Sequence, residues 1–501
     1  MRARVLTVLA VCGLVLPLVG GGLPAEAKTL ARPYDFNGDG FPELVVSAPT
    51  LQVGSVKAAG GVVVLPASGS GLSRSEQVFT QSTSGVPGGS EKGDDFGNAL
   101  TSADFNRDGY ADLAVGQPGE DLSGRGDPGA VTVLYGSPRG LTGQGSVQLI
   151  QPSGQHQDAR FGSALASGDL TGDGYPDLAV GAPDDDLVDV GDEINPSGTV
   201  TVLRGGQDGV SRSGSRLLRG QRGSTGYDHQ FGAALAIGDI DTDGRADLVI
   251  GARGQEGLDG YGRPGTVAYC PSRGGWPKSC RRLLQDDNLA GMWALALGQV
   301  SGSARPEIVV GVPQNDDESD PGSVQLLSLT GSTSVTVTRR TELDQEEAGV
   351  PGGWGETGDD FGASLAVGDV DRDGYADVAI GIPGEQVGRH EDAGRVVLAH
   401  GAPGGFRSTG SLAFDQDTPG VPGGAEEADE FGSSVTLLDH DRDGHLDLTV
   451  GAWGENSDSG AITTLPGAGT GVTTAGARTF GLATLGYPNR ARAELGAELG
   501  R

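Results

Sequence analysis

Six segments of the chain repeat one acidic pattern, D-x-[DNT]-x-D-G-x-x-[DE], starting at Asp35, Asp104, Asp169, Asp239, Asp369 and Asp439. Positions 1, 3, 5 and 9 carry oxygen side chains. These are Asp35, Asn37, Asp39 and Glu43; Asp104, Asn106, Asp108 and Asp112; and Asp169, Thr171, Asp173 and Asp177. The other three sets are Asp239, Asp241, Asp243 and Asp247; Asp369, Asp371, Asp373 and Asp377; and Asp439, Asp441, Asp443 and Asp447. Position 6 is always Gly. Position 7 can add a backbone carbonyl, from Phe41, Tyr110, Tyr175, Arg245, Tyr375 or His445. Alternate oxygens around a sharp Gly turn converge on one point. Hard oxygen donors with several carboxylates suit Ca²⁺, whereas Mg²⁺ more often keeps several waters. Position 12 lacks the bidentate Glu of an EF-hand and begins a strand-like run, so a helix pair is not expected. The last three loops carry four carboxylates and the first three carry three, which predicts tighter binding in the last three. A seventh place in the series, at Gln299, keeps Glu307 as its single carboxylate, and no ion is expected there. The sequence thus predicts about six Ca²⁺ sites.

The wider composition agrees with bound cations and excludes several classes. The 501 residues carry a formal net charge of −32. Such a surface repels nucleic acid and anionic membranes. Gly (90) and Pro (27) are too frequent for a helical bundle. Neither HExxH nor a G-x-S-x-G elbow occurs, and the chain is not expected to be an enzyme. Paired carboxylates leave a hydrolase with a site in a central channel as an alternative.

What positions the loops is a repeat. The seven starts lie 60 to 70 residues apart. Phe-Gly precedes the loop by eight residues, at Phe96, Phe161, Phe231, Phe361 and Phe431, with Gly291-Met292 in that place at the fifth copy. A Gly follows the start by twelve, from Gly116 to Gly451, with Ser47 in the first copy. Each unit divides into four short apolar runs bounded by Gly, Pro and Asp. In the second copy these are Ala99–Phe105, Ala111–Val115, Ala130–Leu134 and Val147–Ile150. Short runs so bounded read as strands, and four per unit at this period predict propeller blades. The fold expected is an all-β, seven-bladed propeller of four-stranded antiparallel blades. Its first unit lacks a first strand, and an orphan Phe480-Gly481 near the C-terminus can supply it, closing the ring. Residues 28–488 would then form the propeller, with 489–501 a tail outside the pattern.

Residues 1–27 read as a secretory signal: Arg2 and Arg4, an apolar run Val5–Val19, and Ala25-Glu26-Ala27 before the cleavage point. That run is shorter than a membrane span needs. A secreted, extracellular monomer without a membrane span is expected. Two cysteines remain, Cys270 and Cys280, flanking a turn-like segment, and an exported chain predicts a disulfide between them.

Phe-Gly, the acidic loop and Gly181-Ala182-Pro183 at fixed spacing resemble FG-GAP repeats, which form the seven-bladed propeller of integrin α-subunits. The resemblance covers residues 28 to 488. It implies that the acidic loop joins strands 1 and 2 of each blade on a lower face, with positions 1, 3, 5 and 9 as calcium ligands. It implies ligand recognition on the upper face, through loops 2–3 and 4–1. The chain carries no leg domain, inserted ligand-binding domain or membrane helix, so a receptor signalling across a membrane is not expected. The same repeat accompanies a glycosylphosphatidylinositol-cleaving phospholipase, whose separate catalytic domain has no room here. The partner expected is an extracellular protein or a glycan, as for an adhesion or recognition module; a carbohydrate-binding propeller is the alternative.

The upper-face loops repeat as well. Val86-Pro-Gly-Gly89, Val350-Pro-Gly-Gly353 and Val421-Pro-Gly-Gly424 each lead to an acidic pair before Phe-Gly: Asp94-Asp95, Asp359-Asp360 and Asp429-Glu430. Glu120, Glu385 and Glu455 follow the Gly-Ala-Pro place, and Trp354, Trp453, Tyr261 and His390 fall in these loops. They read either as a ligand face or as loops packed on one another. Arg125-Gly126-Asp127 is an adhesion-like tripeptide in one of them.

Overall fold

The fold was analysed in a computed structural model. It describes residues 29–500 except 123, 155, 186–196, 221–229, 255–263, 278, 314–320, 348, 353–354 and 487–491. The signal segment, Tyr261 and Trp354 therefore lie outside the described residues.

Among the described residues seven antiparallel blade sheets follow one another along the chain, six of four strands and one of three, and a small two-stranded sheet, Gly467–Ala468 with Gly471–Val472, lies within the seventh repeat. Blade 2 shows the plan: Leu100–Ala103, Asp112–Gln117, Ala130–Tyr135 and Thr142–Leu149, paired in sequence order. Its second strand is buried throughout, as expected of an element covered on both faces. Blades 3 to 7 repeat the order, ending with Phe431–Leu438, Asp447–Ala452, Ala461–Leu465 and Arg478–Gly481. Each acidic loop from Asp104 onward joins the first and second strands of its blade, and the loop at Asp35 leads into the second strand of blade 1. The 2–3 and 4–1 connections therefore emerge on the opposite face. The Phe of every Phe-Gly is buried, and Met292 of the Gly291-Met292 pair is buried at the fifth copy.

The two repeated glycines explain each other. A Cβ on Gly181 would stand 2.1 Å from the carbonyl oxygen of Gly232, the Gly of the next Phe-Gly. The same close approach links Gly116 with Gly162 and Gly311 with Gly362, both at 2.1 Å. Neighbouring backbones touch here, so no side chain fits. The substitution Gly181→Ala is expected to cost about 3 kcal/mol, an overpacking cost that a denaturant midpoint will read. An unchanged midpoint would show that the seam can open by an ångström without penalty.

Ring closure uses a different segment from the one expected. Phe480 lies on the outer strand of blade 7, paired with Ile462, and not on blade 1. The missing inner strand of blade 1 is the chain end. Gly496 N–H donates to Ser47 O (2.9 Å), Ser47 N–H to Glu498 O (2.9 Å) and Gly500 N–H to Val45 O (3.0 Å). Leu495-Gly496 stands in the Phe-Gly place. Leu495 is fully buried, and Gly496 has φ +93°, beside +103° at Gly162 and Gly432. The segment assigned to a tail outside the pattern thus completes the ring from Arg492 onward. Ala493, Leu495 and Leu499 pack into the core shared by blades 1 and 7.

A second belt runs around the lower face. Position 4 of one acidic loop meets position 6 or 7 of the next. Arg107 lies 5.6 Å from the Tyr175 ring centre, and Arg442 5.5 Å from that of Phe41, which crosses the closure. Arg372 donates to the Gly444 carbonyl. The aromatic side chains at position 7 therefore pad neighbouring loops, a role their backbone carbonyls did not reveal.

Candidate metal centres

Each acidic loop is wound by its own carboxylates. The position-1 Asp accepts the N–H of the position-6 Gly in all six loops, at 2.8–3.0 Å. The position-5 Asp accepts the N–H of position 7, at 2.8–3.1 Å. Gly at position 6 has φ near +90°, a conformation other residues adopt only with strain. The ninth-position carboxylate is buried and ties the loop to the sheet. Asp112 accepts from Phe105 N (3.0 Å) and Gly136 N (2.9 Å), and Asp377 from Val370 N (2.9 Å) and Gly401 N (3.0 Å).

The donor set fits a hard cation. Oxygen atoms of Asp239, Asp241 and Asp247 lie within 4.8 Å of one another, as do those of Asp369, Asp371 and Asp373 and of Asp439, Asp441 and Asp443. These are the three loops with four carboxylates. Asp35 Oδ1, Asp439 Oδ1 and Thr171 Oγ1 are buried without a hydrogen-bond partner, the state of a ligand atom facing an ion. Burial, reinforced by neighbouring Asp charges, pushes Glu43 and Asp112 up to about 8, against the pull of backbone N–H groups. The same causes raise Asp177, Asp247 and Asp447 to about 6. A bound cation reverses that balance. The loop at Gln299 is built differently. Glu307 there accepts from Ser301 N (2.7 Å), Ser301 Oγ (2.7 Å) and Ser328 Oγ (2.6 Å), so hydroxyls satisfy the carboxylate.

Carboxylate count alone does not rank the sites, because the chain supplies cations of its own. Arg204 binds Asp173 Oδ2 through Nη2 (2.5 Å) and Nε (3.0 Å). Arg273 binds Asp241 Oδ2 through Nε (3.1 Å) and Nη2 (2.5 Å). Arg273 sits in the hairpin stapled by the Cys270–Cys280 disulfide (S–S 2.02 Å). His400 Nδ1 lies 3.1 Å from Asp377 and 3.6 Å from Asp371. Among the described residues no Arg or Lys pairs with the carboxylates at Asp35–Glu43 or Asp439–Asp447. A tethered guanidinium competes with a free ion for the same oxygen. The substitution Arg273→Gln is therefore expected to tighten Ca²⁺ at the Asp239 loop roughly tenfold, on the scale of one charge-assisted hydrogen bond. Calorimetry on this variant reads it; unchanged affinity would mean that Arg273 swings clear without cost.

The opposite face surrounds the mouth of a central channel of about 860 Å³, walled largely by Leu100, Leu165, Leu235, Leu295, Leu365 and small residues. The residue before each Phe-Gly turns left-handed: Asp95, Arg160, Gln230, Asp360 and Glu430, with Glu494 at the closure (φ 51–61°). Burial and nearby carboxylates raise Asp360 to about 6 and Glu430 to about 7. Trp293 is half-exposed here, with Arg253 stacked at 4.4 Å. Sequence reading missed Trp293 because its copy lacks the Phe-Gly that marks the others. Arg125 and Asp127 of the adhesion-like tripeptide lie in the turn that the blade 3 entry segment crosses, where Arg160 N–H donates to Asp127 O (3.1 Å).

Comparison with known proteins agrees with this geometry. The FG-GAP repeat family matches residues 32–65, 96–134, 161–203, 231–269 and 361–398. The mouse (Mus musculus) phosphatidylinositol-glycan-specific phospholipase D is 39% identical over 176 residues, 32% of this chain and 20% of its own. Integrin alpha-5 of Xenopus laevis is 36% identical over 173 residues, 34% of this chain and 16% of its own. Integrin alpha-PS5 of Drosophila melanogaster is 38% identical over 154 residues, 30% and 14%. The chain spans a fifth or less of the length of these relatives. Four of the five matched segments hold Phe-Gly, the acidic loop and the following Gly in register, the first holds the acidic loop with Ser47 in the Gly place, and each falls within one blade of the structure. The chain belongs to the FG-GAP repeat family, as an integrin alpha-like seven-bladed β-propeller.

Proposed function

We propose that the protein is a secreted, calcium-held propeller that recognises an extracellular protein or glycan as a single chain, in the manner of an adhesion module. The observation that carries this reading is the division of labour between faces. The acidic loops all lie on one face, where they latch blade to blade. The other face holds the channel mouth with exposed Trp293 and the acids Asp95, Asp360, Glu430 and Glu494. An exposed aromatic on a face that also carries carboxylates suits sugar stacking or a cationic protein side chain. Ca²⁺ would be held by positions 1, 3, 5 and 9 of the six loops, with the position-7 carbonyl. We read no catalytic role, since the channel wall is mainly Leu, Ala and Ser. The disulfide and the extracellular adhesion proteins among its relatives support export.

The test is an array of glycans and matrix proteins probed with the mature chain in calcium. Saturable binding that falls at least tenfold in Trp293→Ala, with an unchanged melting temperature, supports the reading. Binding insensitive to both Trp293→Ala and Glu430→Gln, or no saturable binding at all, would sink it.

A further inference from the structure

The upper-face seams hold a second set of carboxylates that the lower loops do not explain. Where blade 2 meets blade 1, Gly119 N–H donates to Asp94 O (3.3 Å), which brings Glu120 beside Asp94. A Cβ on Gly119 would stand 1.8 Å from Gly93 O, so Gly is required for that approach. The contact recurs where blade 7 meets blade 6, from Gly454 N to Asp429 O (3.2 Å), and where blade 6 meets blade 5, from Gly384 N to Asp359 O (3.0 Å). A Gln closes each pocket. Gln81 Nε2 donates to Glu120 Oε2 (2.5 Å), Gln345 Nε2 to Glu385 Oε2 (2.6 Å), and Gln416 Nε2 to Glu455 Oε2.

Two features point to a missing cation. The first is orphaned oxygen. Asp94 Oδ1 is buried without a partner on a side chain that is 99% buried. Gln81, Gln345 and Gln416 each keep an unpartnered Oε1, a feature common to all three seams. The second is an internal control. At the Glu385 seam the chain supplies the cation: Arg395 Nη1 lies 2.6 Å from Glu385 Oε1, and Nη2 3.1 Å from Asp415. Arg395 pairs across the sheet with Ile382, the register at which Ala130 pairs with Gln117 and Ala461 with Ala452. Alanine therefore stands where the guanidinium would enter the other two seams. Among the described residues no Arg, Lys or His forms an ion pair with Asp94, Glu120, Asp429 or Glu455.

We propose that the seams at Asp94/Glu120/Gln81 and at Asp429/Glu455/Gln416 each bind a Ca²⁺ ion, which bridges adjacent blades on the upper face. Two carboxylates and an amide carbonyl are hard oxygen donors, the set that Ca²⁺ takes. Burial and the adjacent carboxylates raise Asp94 and Glu455 to about 7, in line with acids held close without a counter-charge.

The experiment is equilibrium dialysis of the mature chain against Ca²⁺, counting bound ions. The double variant E120Q/E455Q is expected to bind two ions fewer than wild type. The variant R395A, which opens the third seam, is expected to bind one more. An unchanged count in a folded E120Q/E455Q overturns the proposal. Should that variant not fold, an unchanged count in R395A overturns it. The lower loops are scored separately by D439N, on the opposite face. If they bind nothing, wild type carries two ions, and E120Q/E455Q still removes both.

Discussion

Withdrawing calcium from the folded chain is expected to lower its melting temperature by about 10–20 °C. An ion that binds only the folded state adds about 2.7 kcal/mol per site at one hundred times its Kd. Six loops would sum to roughly 16 kcal/mol. For a chain of this length the unfolding entropy is about 1 kcal/mol per kelvin, which sets the shift. The gain is structural as well as additive. The loops lead into the second strands of the blades, and neighbouring loops rest on one another through pairs such as Arg107–Tyr175 and Arg442–Phe41. Melting in calcium and in chelator, with calorimetry for the count, measures it. Equal melting curves would leave the loops as turns held by their own N–H groups.

The calcium-free state carries a pH signature whose sign follows from burial. Glu43 and Asp112 are raised to about 8, and Asp177, Asp247 and Asp447 to about 6, above the ordinary carboxylate range. Folded chains then bind more protons than unfolded ones between about pH 4 and pH 8. Stability is fullest below that window and falls as pH rises through it. Calcium displaces those protons, so its binding releases them. The melting temperature in chelator is expected to fall between pH 5 and pH 8, and the calcium-induced shift to grow over the same range. A chelated chain that gained stability toward pH 8 would contradict the buried, crowded carboxylates.

Most of this architecture was legible because a propeller repeats its constraints. Phe-Gly and the later Gly mark a backbone contact between blades, so their spacing survives wherever the contact does; Gly181 and Gly232 are one such pair. The ligand positions were legible because alternate oxygens around a Gly turn have one convergent geometry. What stayed hidden depends on side chains that differ from copy to copy. Arg204 and Arg273 reach the loops from the far end of the third strand and the 3–4 hairpin of their own blades, and the other copies do not repeat them. Arg395 fills a seam by replacing an alanine, a change visible only once strand registers align the blades. Trp293 escaped because its copy had lost the flanking Phe.

The largest expected effect comes from the chain end. Deleting residues 492–501 is expected to abolish cooperative folding, although these residues carry no acidic loop and no Phe-Gly. The deletion removes Leu495 and Leu499, both fully buried, each worth about 1.5–3 kcal/mol of burial. It also removes the bonds that Gly496, Glu498 and Gly500 make with Val45 and Ser47. More costly still, it bares the strand Leu44–Ala48, whose five residues are buried. An apolar edge of that kind pairs with other chains, so aggregation is expected with loss of the melting transition. Deleting residues 499–501 alone spares Leu495 and is expected to cost less. The sequence held the clue in its period. Gly496 follows Gly432 by 64 residues, inside the 60–70 spacing of the copies, whereas Gly481 follows it by 49. Glu494-Leu495-Gly496-Ala497 also echoes Glu430-Phe431-Gly432-Ser433. Leucine replaces phenylalanine because only burial at this seam is required, and the identity of the ring is not. Soluble, cooperatively melting protein lacking residues 492–501 would refute this closure and return the task to Phe480.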